Sequence, residues 1–495
     1  MAAIDELKKV RLEKLKKLRQ AEINPYPAEV DRKDVISKAR KKDGENVAVA
    51  GRIMSLRGHG KIIFCDLLDA TGKIQIVFKK DLIGEKEFKL LDLLDIGDFL
   101  WVLGKVEKTS AGEISVFSQN LKILTKTLRP LPDKWHGFKD IEERYRQRYV
   151  DLIINPQVRE IFETRSKVIS FLRNYLDKDG FLEVETPVLQ PVYGGASAKP
   201  FVTHHNTLDL DMYLRISDEL YLKRLIVGGI EKVYELSKDF RNEGIDHQHN
   251  PEFTMLEFYW AYADYHNLMS YSEKMLSSLV KDIKDSFKLT YEDKQYDFTP
   301  PWPRISYREI VLKYTGIDID IADDDQKLIK EINRKKLNFN LSGLIGFGAI
   351  LDELYKKFVR HNLSGPLFLV DRPTAFVTLA KRLPDDPRKT ASFQLIVAGK
   401  ELINAYNELN DPVDQAMRFT ESEKLAGKGQ LVHEAYDEDY IRALEYGMPP
   451  TAGWGMGIDR LISVLTDKHN IKDVILFPTL KPEFPLSEKE NKRKK

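Results

Sequence analysis

The stretch FRNEGIDHQHNPEFTMLEFYW, residues 240–260, places charged side chains between two segments that read as buried β-strands. Successive side chains of a strand point to opposite faces, so its two arms are expected to pair as a hairpin with one apolar face. The other face carries Arg241, Glu257 and Tyr259. Burying such charges is costly unless they are paired or contact a ligand. The stretch therefore predicts an antiparallel sheet with a core face and a ligand-binding face, and an internal Arg–Glu network is the alternative. The apolar face carries Tyr234, Leu236, Phe240, Leu256, Phe258 and Trp260.

A second stretch, AGKELINAYNELND (398–411), places the carboxylates of Glu401 and Glu408 around a strand. Carboxylates close to a buried arginine are expected where a divalent cation lies on a polyphosphate. Their seven-residue spacing would put them on opposite faces of an unbroken strand. The prediction therefore needs a β-bulge, or carboxylates that act at different ends of the strand. Two surface glutamates are the alternative.

A third stretch, TAGWGMGIDRLISVL (451–465), is glycine-rich and runs into a predicted helix with Arg460 in its first turn. Glycines let the backbone approach a ligand closely, and the N-terminus of a helix favours phosphate. Helix packing explains the glycines about as well. The chain has no GxxxxGK[ST] motif, and no GxGxxG follows a strand, so neither common nucleotide-binding fingerprint is present.

Composition bounds the remaining possibilities. The chain has 495 residues, a formal net charge of +1 and a single cysteine, Cys65. The length predicts about two to four domains, and the single cysteine excludes an intramolecular disulfide and a zinc finger. No run of about 18 apolar residues occurs, and the first residues are charged where a signal peptide needs an apolar core. We expect a cytoplasmic protein with no membrane segment.

Short strands separated by turn residues occupy residues 47–125. Five strands with a helical segment after the third favour a closed β-barrel of the OB type, which commonly binds single-stranded nucleic acid. Phe64 could stack on a base and Gln75 could read a base edge. The alternatives are a core phenylalanine and a solvated glutamine.

The rest of the chain predicts an α+β multidomain protein. Residues 1–46 form a basic helix and lead-in, which either packs on its own protein or also contacts a polyanion. A charged, proline-containing linker spans 126–150, and an α/β domain spans 151–485, with a helical or irregular insertion around 264–344. The basic end, 486–495, is expected to be disordered.

Three motifs in order resemble those of class II aminoacyl-tRNA synthetases. ETPVL, with Pro187 after a long predicted helix, resembles motif 1; FRNEG…HNPEFTMLE resembles motif 2; GMGIDR resembles motif 3. Within the class, the barrel together with GGASAKPF, LDMYLRISDELYLKRL and ELINAYNELNDP resembles the bacterial type of lysyl-tRNA synthetase. The resemblance covers residues 47–478. It implies an antiparallel catalytic sheet flanked by helices, ATP-dependent activation of L-lysine, and transfer of lysine to the 3′ end of tRNA(Lys).

The resemblance also implies a role for individual residues. Arg241 and Arg460 would be catalytic, holding the α-phosphate and the adenine, and Mg²⁺ would be the cofactor. One departure concerns Gln394, which stands where the family usually carries a second metal-binding carboxylate; an amide can coordinate through its oxygen, but it lowers the negative charge and so changes the number of magnesium ions or their affinity. The implied ATP-binding residues are Arg241, Glu243, His249, Phe253, Glu401, Gly457 and Arg460; the lysine-binding residues are Gly195, Glu219, Glu257, Tyr259, Asn404, Tyr406 and Glu408; the metal ligands are Glu401, Glu408 and, doubtfully, Gln394; the anticodon-binding residues are Arg52, Phe64, Gln75 and Glu113.

The implied partners are tRNA(Lys), ATP, L-lysine and a second copy of the chain, since the family forms homodimers through motif 1. An aspartyl- or asparaginyl-tRNA synthetase shares the barrel and all three motifs, but the acidic pocket disfavours aspartate. A tRNA-binding paralogue without aminoacylation activity is a second alternative, although the reactive residues are intact here. A paralogue that transfers lysine to a protein is a third, but such proteins lack the barrel.

Overall fold

The computed structural model describes residues 2–132, 138, 140–427 and 435–483. They divide into two compact units, 1–139 and 140–495. The predicted disordered end, 486–495, lies outside the described residues. In the described part of the chain, no helix combines the length and the apolar character needed to span a bilayer.

The first unit is built around a closed five-stranded barrel with strand order β1-β2-β3-β5-β4. A helical connection follows the third strand, as the sequence predicts. In chain order its elements are α1 (Ala2–Gln20), α2 (Ile36–Ala39), β1 (Asn46–His59), β2 (Ile62–Asp69), β3 (Gly72–Lys79), α3 (Lys80–Ile83), α4 (Glu85–Leu90), a 3₁₀ turn (Leu91–Leu93), β4 (Phe99–Lys108) and β5 (Ile114–Thr125).

Alternation along the strands divides the barrel into an inside and an outside. Cys65, Leu67 and Ile76 point inward into the barrel core, because the side chains of a strand alternate between faces. Residues between them, such as Phe64, point outward. The first residue after β5, Lys126, is itself buried and its Nζ lies 2.7 Å from a carboxylate oxygen of Asp98. The segment predicted as a linker, 126–150, therefore begins inside the barrel unit.

The second unit holds an eight-stranded sheet and the helices that cover it. Its first half contains α5 (Ile141–Arg146), α6 (Arg148–Ile154), α7 (Pro156–Lys178), β6 (Leu182–Glu183), β7 (Leu189–Gln190), β8 (Phe201–His205), β9 (Leu210–Leu214), α8 (Glu219–Val227), β10 (Lys232–Phe240), β11 (Glu252–Ala261), α9 (Tyr265–Lys284), β12 (Lys288–Tyr291) and β13 (Lys294–Asp297). Its second half contains β14 (Arg304–Ser306), α10 (Tyr307–Thr315), α11 (Asp325–Arg334), α12 (Gly346–Phe358), β15 (Leu367–Val370), β16 (Ser392–Val397), β17 (Lys400–Asn407), α13 (Pro412–Gly427), α14 (Glu438–Glu445), β18 (Thr451–Gly457) and α15 (Ile458–Leu465), with 3₁₀ turns at Arg360–Asn362, Thr374–Phe376 and Ile471–Val474.

The large sheet has the order β14-β15-β16-β17-β18-β11-β10-β6. The strands from β15 to β10 pair antiparallel, and a short parallel strand closes each edge. Helices α7, α9 and α15 cover one face and share its apolar core with Phe258 and Trp454. The proline at the first position of α7 suits a helix start, since that N–H has no partner inside the helix. The opposite face of the sheet is left for the site.

The region 264–344, predicted as an insertion, contributes to two cores. Helix α9 begins at a capping box on Asp264 and buries Leu268 and Met275 in the core of the large sheet. Helices α10, α11 and α12 form a separate apolar cluster with Leu369 of β15 and Ile396 of β16. The first part of the region is therefore integral to the sheet, and the later part forms a helical layer at its β14–β16 edge.

A small three-stranded sheet, β7-β9-β8, follows the ETPVL segment. Two buried side chains tie that segment to the large sheet: Glu235 of β10 accepts a hydrogen bond from Thr186 Oγ1 at 2.7 Å, and Arg215 donates to the Thr186 carbonyl at 3.2 Å. Apolar side chains of the small sheet stay exposed, among them Val202 and Leu210.

Candidate active site

The predicted hairpin is formed by β10 and β11, and its two faces divide as the sequence predicts. Tyr234 lies opposite Phe258 in the antiparallel register, and Glu235 lies opposite Glu257. Tyr234 and Phe258 are buried in the apolar core, where the ring of Phe258 stacks on Trp454 with 4.7 Å between centroids. The charged pair faces the other side. The charged and the apolar side chains therefore lie on opposite faces of the sheet, because the alternation of side chains runs unbroken through both strands.

Strand β17 contains a bulge, one of the two arrangements that the spacing of its two glutamates predicted. Leu395 of β16 pairs with Ile403, and the next residue, Ile396, pairs with Glu401, so Leu402 is an extra residue in β17. One extra residue reverses the alternation of side chains along the strand. Glu401 and Glu408 consequently line the same cavity.

The neighbouring strand, β18, presents only glycines to the site. Its larger side chains, Trp454 and Met456, point into the core, and Gly453, Gly455 and Gly457 alternate with them. A Cβ built on Gly453 would lie 2.5 Å from a ring carbon of Tyr259 and closer still to Glu408 Oε1. No side chain fits there, so the backbone of β18 forms a flat floor.

A cavity of about 370 Å³ lies over this floor. All fourteen residues that the sequence assigned to ATP or lysine line it. Gln394 does not line the cavity, but its side chain donates a hydrogen bond to Glu401, which does. The fourteen are Gly195, Glu219, Arg241, Glu243, His249, Phe253, Glu257, Tyr259, Glu401, Asn404, Tyr406, Glu408, Gly457 and Arg460.

One end of the cavity is cationic. The guanidinium of Arg241 lies 5.0 Å from the ring centroid of Phe253, and its Nε has no hydrogen-bond partner among the described residues. Arg460, in the first turn of α15, donates from Nη1 to the Glu401 carbonyl at 3.1 Å. Burial lowers the pKa of the Arg460 guanidinium, with Glu401 acting in the opposite sense. Neither arginine forms a salt bridge within the described structure, so both can bind an anion.

The loop between β10 and β11 lies at the rim of this end. His249 is exposed, and its Nδ1 lies 2.9 Å from an Asp246 carboxylate oxygen. Glu243 is also exposed, and accepts from the backbone N–H of Lys199 at 3.4 Å. Both side chains are held by contacts at the loop surface, so they can meet the outer part of a ligand.

Glu401 supplies the candidate metal-binding carboxylate at the cationic end. Glu401 is half-buried, and its Oε2 accepts a hydrogen bond from Gln394 Nε2 at 2.6 Å. Glu408 is fully buried and forms an ion pair with Lys223. Around Glu401, the described residues contain no group of three potential metal-ligating side chains. A divalent cation here would therefore rely on one carboxylate, an amide and oxygens supplied by a ligand.

The other end of the cavity is anionic, and it contains a lysine that the sequence analysis did not single out. Lys223 of α8 is completely buried, and its Nζ lies 2.6 Å from Glu219 Oε1 and also contacts Glu408. Burial opposes the charge on Lys223, but the two carboxylates outweigh it and hold its pKa well above the usual range. Tyr406 donates to Glu219 Oε1 at 2.6 Å, and Tyr259 donates to Glu257 Oε2 at 3.1 Å. Three carboxylates and one ammonium therefore leave this end with net negative charge.

Gly195 borders the anionic end and has the left-handed backbone angle φ = 82°. A Cβ at this position would lie 2.9 Å from Ser217 Oγ and 3.1 Å from Glu219 Cβ. Only glycine combines this conformation with such close approach.

Two further residues of the site escaped the sequence analysis. Asp218 is buried directly beneath the anionic end, next to Glu257. Arg372 lines the cavity and donates from Nη1 to Asn404 Oδ1 at 2.7 Å. Arg372 follows β15, which is remote in sequence from the motifs. For Lys223, the sequence offered one indication of a role in the site, namely its i,i+4 spacing from Glu219 on a helix.

The predicted anticodon residues lie on the barrel of the first unit. Register places Arg52, Phe64 and Gln75 on its outer face. Arg52 lies over the ring of Phe99 at 4.2 Å and donates to the Gly97 carbonyl.

Phe64 is half-exposed, whereas Gln75 is nearly buried and its Oε1 accepts from Ser115 Oγ at 3.0 Å. Glu113 precedes β5 and forms an exposed ion pair with Arg40 at 3.5 Å. The half-exposed ring of Phe64 is available for stacking, and the amide nitrogen of Gln75 remains as a donor.

Comparison with known proteins gives a consistent result. Residues 140–481 match the family described as tRNA synthetases class II (D, K and N), and residues 47–124 match the OB-fold nucleic acid binding domain. Among curated proteins the chain is similar to a lysine–tRNA ligase from Pelotomaculum thermopropionicum, with 47% identity over 97% of this chain and 96% of the relative. It is 48% identical to the lysine–tRNA ligase of Syntrophomonas wolfei, over 97% of this chain and 98% of the relative. It is 47% identical to the lysine–tRNA ligase of Moorella thermoacetica, over 98% of this chain and 99% of the relative.

Proposed function

The chain belongs to the class II tRNA synthetases of the D, K and N group, and from this premise we propose that it activates L-lysine with ATP and transfers it to the 3′ end of tRNA(Lys). Relatives that are 47–48% identical over nearly the whole chain are lysine–tRNA ligases. The observation that carries the proposal is a single cavity with two unpaired arginines at one end and three carboxylates at the other. A triphosphate suits the first end, and an amino acid with two ammonium groups suits the second.

At the cationic end, Arg241 binds the α-phosphate and the carboxylate of the amino acid. Phe253 and Arg460 hold the adenine ring from its two faces, by stacking and cation–π attraction. Glu243, His249 and the backbone at Gly457 complete the nucleotide site. The free Nε of Arg241 and the absence of a carboxylate partner for either arginine within the described structure support this assignment.

At the anionic end, Glu257 and Glu219, with the carbonyl of Gly195, bind the α-ammonium group. Glu408, Tyr259, Asn404 and Tyr406 receive the side-chain ammonium. Lys223 only partly offsets the carboxylates of this end. An uncharged analogue such as leucine would leave the remaining negative charge without a cationic ligand, and uncompensated buried charge is strongly unfavourable. Aspartate would add its side-chain carboxylate to an end of the cavity that already holds three carboxylates, which disfavours the aspartyl alternative.

The chemistry needs no general base. The lysine carboxylate is already ionised and attacks the α-phosphorus in line, and pyrophosphate leaves; the terminal ribose hydroxyl of the tRNA then attacks the acyl group. Arg241 neutralises the negative charge that grows on the α-phosphate, and the glycine floor of β18 holds the reacting groups against rigid backbone. Positioning and electrostatic stabilisation supply the rate.

Mg²⁺ is the proposed cofactor. Magnesium is commonly bound through one or two protein carboxylates together with phosphate oxygens and water, so the carboxylate of Glu401 fits. When bound, it would neutralise charge on the outer phosphates. Gln394 is a weaker candidate ligand because its amide nitrogen is directed at Glu401. Glu408, named by the sequence as a further metal ligand, is engaged by Lys223, so we assign it to the lysine side chain.

The barrel, residues 47–125, is proposed to bind the anticodon. Phe64 stacks on a base, Gln75 reads a base edge, and Arg52 and Glu113 assist. The outward position of the first three residues on one barrel surface supports the proposal. The catalytic domain is proposed to span 151–485.

We further propose a cytoplasmic homodimer. The exposed apolar side chains of the small sheet, Leu189, Val202 and Leu210, need a cover in water. A second copy of the chain packing on the motif 1 segment would supply it, and sedimentation of the purified protein measures the assembly.

Amino-acid-dependent exchange of pyrophosphate into ATP tests the function. Exchange is expected with L-lysine alone among the twenty amino acids. Exchange with aspartate or asparagine would replace the substrate assignment. Binding of tRNA without any exchange would favour the tRNA-binding paralogue without aminoacylation activity.

Two variants separate the roles of the two units. Arg241→Ala should abolish exchange, while the exposed Arg173→Ala serves as its control. Phe64→Ala should leave exchange intact and raise the KM for tRNA, while the exposed Leu82→Ala should change neither. If Arg241→Ala and Phe64→Ala had the same effect, the proposed division between the units would be wrong.

A further inference from the structure

Three buried carboxyl groups converge beneath the anionic end of the cavity. Asp218 stands at the start of α8, Asp239 on β10 and Glu257 on β11, and one oxygen of each lies within 4.8 Å of the other two. Asp218 and Asp239 are completely buried. Like charges at such spacing cannot all be ionised in a buried site without compensation. The cluster must therefore contain cations or protons.

The cations near the cluster compensate one of the three carboxyls. Arg215 Nε lies 3.3 Å from Asp239 Oδ1. Burial outweighs the opposing effect of Arg215 and Arg241, and the pKa of Asp239 is raised to about 6. Arg215 also pairs with Glu235 at 2.6 Å. The charged and titratable groups that face the cluster are Glu235 of β10, Glu219 of α8, Tyr259 of β11, Glu408 directly after β17, Arg215 and Arg241. Neither arginine pairs with Asp218 or Glu257.

The remaining two carboxyls face each other. Neither oxygen of Asp218 has a hydrogen-bond partner among the described residues. Asp218 also does not cap its own helix. Glu257 accepts from Tyr259 at 3.1 Å and from Ser217 at 3.3 Å. A proton held by Asp218 or Glu257 would create the one hydrogen bond that both carboxyls lack.

We propose that Asp218 and Glu257 form a proton-binding pair that releases a proton when the α-ammonium group of lysine binds. This inference rests on the proposed function, because it takes Glu257 as part of the α-ammonium site. As the ammonium donates to the Glu257 carboxylate, the shared proton leaves to solvent; the ammonium keeps its own protons. Asp218 acts through Glu257 and is a positioning residue.

The titration of the pair gives the sign of the effect. Burial, with the charges of Asp239 and Glu219, raises the pKa of Glu257 to about 8, and burial with the charge on Glu257 raises the pKa of Asp218 well above its usual range. The empty site therefore holds a proton at neutral pH. A bound cation favours the ionised form, so the affinity for lysine rises with pH. One displaced proton corresponds to a change of about tenfold per pH unit, which levels off near pH 8.

Titration calorimetry of lysine binding to the full chain, without ATP and with a chelator present, measures the released protons. At each pH, binding heats in two buffers of different ionisation enthalpy give the proton count. The wild type is expected to release about one proton near pH 7, with an affinity that rises about tenfold per unit from about pH 6. Asp218→Asn should release fewer protons than the wild type and show a shallower pH profile, because its amide donates to Glu257 and favours the ionised carboxylate without titrating itself. Asp81→Asn, an exposed carboxylate of the first unit, should match the wild type.

Two controls make the assignment specific. The analogue 6-aminohexanoate lacks the α-amino group and should release no proton from the wild type. Infrared difference spectra of the wild type should lose a protonated-carboxyl band when lysine is added, a readout that does not depend on the folding of any variant.

The results of these measurements distinguish a failure of the proton-binding pair from a failure of the proposed function. Lysine binding without proton release, or equal release by the wild type and Asp218→Asn, would overturn the inference and leave the proposed function intact. Release that requires added Mg²⁺ would also overturn it, since a metal ion would then occupy the cluster. Failure of the wild type to bind lysine at any pH would overturn the proposed function itself.

Discussion

Replacing Lys223 by methionine tests whether the anionic end of the cavity is built as an ionised network. Methionine nearly preserves the volume of the side chain and removes its charge. The change leaves Glu219 and Glu408 close together, with Glu408 completely buried and the ammonium at 2.6 Å from Glu219 removed. Both the stability of the second unit and its response to pH should change.

The magnitude follows from the burial of the pair. Removing one partner of a buried ion pair costs about 3–5 kcal/mol, because the other charge stays without compensation. One of the carboxylates can instead take up a proton, and its pKa in the folded variant is then raised above the unfolded value. Such a carboxyl is protonated and neutral at low pH, where it costs little stability. As the pH rises above its unfolded pKa, it lowers the free energy of unfolding increasingly. We expect Lys223→Met to lose about 3–5 kcal/mol of unfolding free energy near pH 8 and clearly less near pH 5.

Denaturant unfolding at the two pH values measures the effect. Lys356→Met is the matched control, because Lys356 forms an i,i+4 pair with Asp352 in the same acid-first order, but both side chains are about half exposed. That pair should be worth less than about 0.5 kcal/mol. In a Glu219→Gln background, Lys223→Met should cost less than in the wild type, as expected for coupled partners. A loss at pH 8 no larger than that of Lys356→Met would refute the reasoning.

Three more substitutions or probes address single features of the site and of the barrel. Gly453→Ala should lower kcat/KM for lysine by about 100-fold in pyrophosphate exchange, since its Cβ displaces the Glu408 carboxylate; an unchanged kcat/KM for lysine would contradict this. Gln394→Glu, which adds a carboxylate beside Glu401, should lower the Mg²⁺ concentration for half-maximal exchange by about fivefold, and no shift would exclude Gln394 from the metal site. Burial raises the pKa of the Cys65 thiol, so its reaction with a disulfide reagent should be about a thousandfold slower in the native barrel than in denaturant, and fast native labelling would show that the barrel opens.

The parts of the site that could be predicted from sequence depend on local periodicity. The division of β10 and β11 into a core face and a charged face followed from alternation alone. The spacing of Glu401 and Glu408 predicted either a bulge or glutamates that act at different ends of the strand, and the structure has a bulge at Leu402. The resemblance supplied the identities of the remaining lining residues, and the cavity brings all fourteen together.

The parts that could not be predicted depend on tertiary burial. Lys223 reads as a surface residue, because Glu–Lys pairs at i,i+4 spacing usually lie in solvent. Its burial comes from Glu408, which is 185 positions away, and from Tyr406, Glu219 and Tyr440 around it. Asp218 precedes a helix and reads as a cap, whereas the structure turns its carboxyl toward Glu257. Sequence spacing contains no information about either contact.

The glycine face of β18 limits how the specificity of this enzyme can change. At Gly453 the floor has no room for a Cβ, so no side chain can be added there without displacing Glu408 and Tyr259. Variation that redirects the enzyme toward another substrate must then arise around this position, in the walls on α8, β11 and β17. Directed evolution libraries for unnatural lysine analogues should therefore randomise the walls and leave position 453 untouched.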